Sequence, residues 1–148
     1  MDLYFGGKIA PGLSPGTLVI DGDLAISGGT LEFEVFGSGA GEFDVLDVMG
    51  TLDASAAFGI DLIFGAGATV EDLLGLALFS AGSFGSGFFS NASVNFVGLG
   101  GYSGALTQVD GGYGILATPT SVPLPAGLVL LASAAGALGL VRRRRLTA

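Results

Sequence analysis

Apolar residues recur at every second position through the first half of the chain. Leu18 and Ile20, then Leu24 and Ile26, then Leu31, Phe33 and Val35 alternate with polar or small neighbours. A period of two sends successive side chains to opposite faces of a strand. Asp21-Gly-Asp23 and Ser27-Gly-Gly29 interrupt the runs and predict tight corners between short strands. Upstream, Ala10-Pro-Gly-Leu-Ser-Pro-Gly-Thr17 holds two Pro-Gly pairs. Pro presets φ and Gly supplies positive φ, so this stretch predicts turns. Residues 1–16 are expected to be a turn-rich segment and residues 17–117 a strand domain.

The pattern repeats. Leu18-Val-Ile-Asp-Gly-Asp-Leu-Ala-Ile-Ser27 aligns without a gap on Leu46-Asp-Val-Met-Gly-Thr-Leu-Asp-Ala-Ser55, an offset of 28 residues. Leu18/Leu46, Gly22/Gly50, Leu24/Leu52 and Ser27/Ser55 are identical, and Phe36-Gly37 falls on Phe64-Gly65. The repeat units are residues 18–37 and 46–65. In their second halves the alternation slips by one, with Leu31, Phe33, Val35 answered by Ile60, Leu62, Phe64. A slip of one turns every side chain to the wrong face. A small insertion near Phe58 and Gly59 is therefore expected. Short strands repeating at ~20–30 residues predict a Gly-rich parallel β-solenoid. A β-sandwich or jelly roll uses the same strand and turn signals and is the alternative.

Farther on, Ser83-Phe-Gly-Ser-Gly-Phe-Phe89, Ala92-Ser-Val-Asn-Phe-Val97 and Gly112-Tyr-Gly-Ile-Leu-Ala117 read as further strands, and residues 98–104 as a turn. Thr69 and Asp72 have the spacing of a helix N-cap and its third residue. The same stretch also fits a loop leading into a strand at residues 76–79. Residues 118–122 are expected to be a linker.

The last 27 residues differ in kind. Val122-Pro123-Leu124-Pro125-Ala126 opens a run with no charge as far as Val141, and Arg142, Arg143, Arg144 and Arg145 close it. Twenty helical residues rise about 30 Å, the thickness of a hydrocarbon core. A transmembrane helix is expected over residues 124–141. Each Arg at the bilayer centre costs ~2.5–3.5 kcal/mol, so the Arg cluster is expected to stop transfer.

This order of motif, apolar span and Arg cluster resembles the PEP-CTERM class of C-terminal sorting signals, in its VPLPA variant. Leu124 stands where the commonest form has Glu. The resemblance implies recognition of residues 122–126, and removal of the tail, by an exosortase-type membrane enzyme. It implies a bacterial protein passing through the inner membrane, body outside the cytoplasm, to the cell surface. It also implies an association with biofilm and surface polysaccharide.

Residues 10–100 resemble the last turns of autotransporter-like passenger β-helices. Ser14-Pro-Gly-Thr-Leu-Val-Ile-Asp-Gly-Asp-Leu24 and Phe43-Asp-Val-Leu-Asp-Val-Met-Gly-Thr-Leu52 carry that likeness. It implies a solenoid with a structural or adhesive role, and it favours the strand at residues 76–79 over a helix.

Charge sharpens the division. All 13 acids precede Val122 and Lys8 is the one base among them, so residues 1–121 carry −12 and the tail +4. An acidic body argues against nucleic acid as a partner. An acidic outside and a basic inside fit the positive-inside rule. The N-terminus has neither a basic region nor an apolar core, so the native frame is expected to start farther upstream. Glycine is abundant, at 28 of 148 residues against an average of ~7%. Cys and His are absent, which removes disulfides, thiol chemistry, and the usual base and metal ligand. The chain is therefore expected to be no enzyme and to carry no cofactor.

Three candidate sites remain within the body. Asp21, Asp23, Asp44 and Asp47 supply oxygen ligands of the kind Ca²⁺ takes, but their spacing fits no calcium loop or calcium-binding repeat. Turn and surface acids are the preferred reading, with no metal site. Glu32 and Glu34 lie two apart on one strand and are expected to form a solvated face; glycosidase chemistry needs carboxylates across a cleft. Asn91-Ala-Ser93 has the form of a glycosylation acceptor, a triplet that also arises by chance.

Overall fold

Leu31, Phe33 and Val35 of one strand are fully buried, while Glu32 and Glu34 between them reach solvent. The period of two therefore does what the sequence implies, and it recurs down the chain. The structure, a computed structural model, describes residues 1–4, 6–12 and 15–120. Eleven strands follow one another: β1 Asp2–Tyr4, β2 Lys8–Ile9, β3 Thr17–Ile20, β4 Leu24–Ser27, β5 Thr30–Val35, β6 Val45–Ala54, β7 Phe58–Phe64, β8 Phe79–Phe84, β9 Ala92–Val97, β10 Tyr102–Val109 and β11 Gly112–Pro119. A 3₁₀ helix, Val70–Leu73, precedes β8, and helix α1, Ser86–Asn91, follows it.

All strands join one sheet in the order β1-β4-β6-β8-β11-β10-β9-β7-β5-β2, with β3 also on β6. β1, β4, β6 and β8 form a parallel ribbon; β2, β5, β7 and β9 form a second. The hairpin β10–β11 runs antiparallel to both β9 and β8 and joins the two ribbons. The result is a mostly β, nearly closed, barrel-like sheet.

The repeat is a pairing register. Leu18 lies beside Leu46 and Leu24 beside Leu52, both 28 residues apart. Past the corner the offset becomes 29, with Leu31 beside Ile60 and Phe33 beside Leu62. The extra residue sits between Ala54 and Gly59, because Ile26 pairs with Ala54 and Thr30 with Gly59. The expected insertion is there, in the corner itself. One alignment is corrected. Val35, not Phe36, lies beside Phe64, and the Phe36 ring covers Gly65, where a Cβ would collide with it.

The core fills the space between the ribbons. Leu24, Ile26, Leu46 and Leu52 come from one, Leu31, Phe33, Ile60 and Leu62 from the other, each at most 1% exposed. Each such side chain contributes ~1.5–3 kcal/mol by leaving water. Phe79 meets Phe33 edge-on at 4.8 Å and Phe88 at 5.4 Å, and Phe88 stacks on Phe58 at 5.6 Å.

Four local expectations are corrected. Residues 83–89 are not a strand: β8 ends at Phe84 and α1 begins at Ser86. The reason is tertiary. Phe88 is wholly buried in the coiled chain, and Asp53 of β6 accepts the Phe88 amide at 3.2 Å. Residues 76–79 are not a strand either. The 3₁₀ helix comes first, with both the amide and the hydroxyl of Thr69 donating to Asp72, and β8 starts at Phe79. The turn at residues 98–104 ends early, because β10 starts at Tyr102. The linker is shorter than expected, since Thr118 and Pro119 still pair with Ser103 and Tyr102. Within the turn-rich first segment, β1 and β2 add a short strand to each ribbon.

Among the described residues no helix is long and apolar enough to cross a membrane. The segment expected to do so, residues 124–141, lies outside them.

Candidate functional site

The four acids considered for a cation are dispersed into separate roles. Asp44 is 2% exposed, and its two carboxylate oxygens accept the amides of Gly16 at 2.7 Å and Glu34 at 2.8 Å. Asp23 stands in an exposed corner and accepts the Thr51 amide at 2.7 Å. Asp47 lies in β6 between Val19 and Ser80, and Asp21 is an exposed turn residue. No group of three or more acids that would hold a metal occurs among the described residues. Asp53 was not singled out from sequence. It accepts the amides of Ala54 and Phe88 and so ties α1 to β6. Asp23, Asp44 and Asp53 do what a turn's own backbone does not, which is to satisfy amides left over at the corners.

Glu32 and Glu34 sit on one face of β5, as expected. Glu32 is directly beside Asp61 of β7, a pairing of like charges that is unfavourable alone. Two neighbours relieve it. Lys8 Nζ reaches Glu32 at 2.6 Å, and Asn95 Nδ2 donates to Asp61 at 2.9 Å. A polar ladder thus runs across β2, β5, β7 and β9. The Lys8 ammonium is held above its ordinary pKa, first by its hydrogen bond to Glu32 and then by the charges of Glu32 and Asp61. Tyr4 is likewise raised by its hydrogen bond to Asp2. Asn91 donates its side-chain amide to the Ala54 carbonyl at 2.9 Å, so the nitrogen of the Asn91-Ala-Ser93 triplet is already engaged.

A groove of about 380 Å³ crosses the corner between the ribbons, lined mainly by Gly6, Gly7, Lys8, Gly29, Thr30 and Gly59. Three of its amides are committed to the fold: Gly7 donates to Tyr4, Thr30 to Gly7 and Gly59 to Gly29. Gly29 has φ +86°, and a Cβ there would stand 2.6 Å from the Gly7 carbonyl, so the glycine serves a close backbone approach.

A second concave feature lies where β11 ends. Two hollows, about 170 and 190 Å³, flank Tyr102. The 3₁₀ helix and the start of β10 wall both of them, and Pro119 lines the first. Thr120 donates to the Gly101 carbonyl at 2.8 Å, which fixes the direction in which the chain leaves.

Compared with protein-family models, curated proteins and solved structures, the chain matches none. The sorting-motif residues Val122, Pro123, Leu124, Pro125 and Ala126, and the cluster Arg142, Arg143, Arg144 and Arg145, lie outside the described residues. What the structure contributes to that motif is its point of attachment. β11 ends at Pro119, so two residues, Thr120 and Ser121, separate the sheet from Val122. Sequence reasoning missed the Tyr102 end. The available signal was the alternation of Tyr102, Gly104 and Leu106, obscured by the glycines around it.

Proposed function

We propose that the chain is an exported envelope protein whose C-terminal segment is a sorting signal. An exosortase-type enzyme reads residues 122–126 and removes the tail, and the acidic β body proceeds to the bacterial cell surface. The body is structural or adhesive, not catalytic, and meets surface polysaccharide or neighbouring matrix. The observation that carries this reading is the order of the tail: Pro-Leu-Pro, an uncharged run, then four arginines. A plain anchor has no use for Pro-Leu-Pro at its outer edge.

Within the same proposal, the body is the closing part of a parallel β-solenoid. Successive partners in the second ribbon, Lys8–Thr30, Leu31–Ile60 and Ile60–Val94, are 22, 29 and 34 residues apart. Such steps are those of a chain winding round one core, each turn covering the last. The hairpin β10–β11 then serves as the cap at the downstream end.

Replacing Pro123 and Pro125 by Ala tests the sorting step. In the native host the unaltered protein is expected to lose its tail and the variant to keep it. Equal processing of both would overturn the proposal. A second reading, a permanent single-pass protein with a ligand-binding body, is favoured by the apolar run and Arg cluster alone. It predicts that both forms keep the tail.

A further inference from the structure

We infer that, while the tail is still attached, the Tyr102 end of the sheet rests on the lipid surface, so that the body stands on the membrane in a fixed orientation. This rests on reading residues 124–141 as a membrane span. Only residues 120–123 lie between β11, which ends at Pro119, and the span expected over residues 124–141. Four residues reach about 14 Å at ~3.3–3.6 Å each, so the end of β11 is held close to the lipid surface.

That end also exposes apolar side chains. Leu74, just past the 3₁₀ helix, is 78% exposed, the most of any large apolar side chain described. It lines one hollow beside Tyr102 with Val70 and Pro119, and Leu99 lines the other with Val70. Glu71 is the one charged residue lining them, and the Asp72 carboxylate is taken up by Thr69. An apolar rim with a single acid, on a body of net −12, suits a zwitterionic bilayer. A partly exposed tyrosine beside it has the amphipathic form that settles at a membrane interface. The opposite end of the hairpin is the turn at Asp110. The eight residues of β10 carry it about 24 Å away at ~3.4 Å per residue.

The chain has no cysteine, so one introduced thiol is the sole labelling site. The full chain, as Leu74→Cys or Asp110→Cys, is labelled with a polarity-sensitive fluorophore and reconstituted in phosphatidylcholine vesicles holding a headgroup spin label. Both positions are exposed, so neither label displaces core. Quenching at position 74 is expected to exceed that at position 110 several-fold, with a blue-shifted emission at 74 alone. Equal quenching at the two positions overturns the inference. So does a blue shift at 74 without quenching, which means that protein covers the hollow. Failure of the chain to float with the vesicles overturns the membrane span itself, and flotation reads this separately from quenching.

Discussion

The carboxylate of Asp44 accepts a 2.7 Å hydrogen bond from the amide of Gly16, 28 residues earlier in the chain. Its other oxygen accepts the Glu34 amide. One buried acid thus joins the entry to β3, the end of β5 and the start of β6. Asp44→Ala leaves two amides without an acceptor. At ~1–3 kcal/mol for a buried unsatisfied group, the loss is on the order of 3 kcal/mol. Urea unfolding of the variant is expected to show a lower midpoint with an unchanged slope. An unaltered midpoint would remove Asp44 from this role.

Phe88 is the residue for which α1 exists. It is fully buried against Phe58, Phe79 and Phe84. Phe88→Ala is expected to cost about 3–5 kcal/mol, while Phe88→Leu costs less because it leaves a smaller cavity. Thermal melts of the two variants check the order.

Two glycines separate space from conformation. A Cβ at Gly82 in β8 would meet the Met49 carbonyl at 2.5 Å, backbone that has nowhere to go. At Gly100 it would meet nothing within 4 Å. Gly82→Ala is expected to lose on the order of 1–3 kcal/mol by overpacking. Gly100→Ala should be near neutral. Similar losses from both would contradict the close approach of β6 and β8.

Lys8 tests the polar ladder. Its pKa is raised above 10.5 by Glu32, with Asp61 adding. A cation whose folded pKa is raised stabilises the fold fully below the unfolded value, and that contribution is lost as pH rises through the folded one. The ion pair is thus complete at neutral pH and disappears only above 10.5. In Glu32→Gln, an NMR titration of the Lys8 side chain should move down toward that ordinary value. No movement would mean that the pair does not form in solution.

The register was legible where identity marked it. Leu18 with Leu46 and Leu24 with Leu52 were readable as partners because the same residues recur at one spacing, and the slip after them located the longer corner. The strand Ala92–Val97 was legible for a similar reason, as clean alternation. Helix α1 was not. Its Gly- and Phe-rich sequence has strand-like local preference, and the coil is imposed by Asp53 and by burial of Phe88 against Phe58, partners remote in sequence. β10 was hidden because Gly104 and Gly101 look locally like a turn, although Asp110-Gly111, the two-residue turn between Val109 and Gly112, is a hairpin signal. The acids were legible as corner residues, but not the amides they receive. Several of those donors lie about one repeat away, as Gly16 does from Asp44 and Thr51 from Asp23.

Intact mass of the protein recovered from its host's surface decides whether the tail is removed. A C-terminus within or just before residues 122–126 is expected, with the apolar run and all four arginines gone. A mass that still includes Arg142 to Arg145 would contradict it and leave the tail as a permanent anchor.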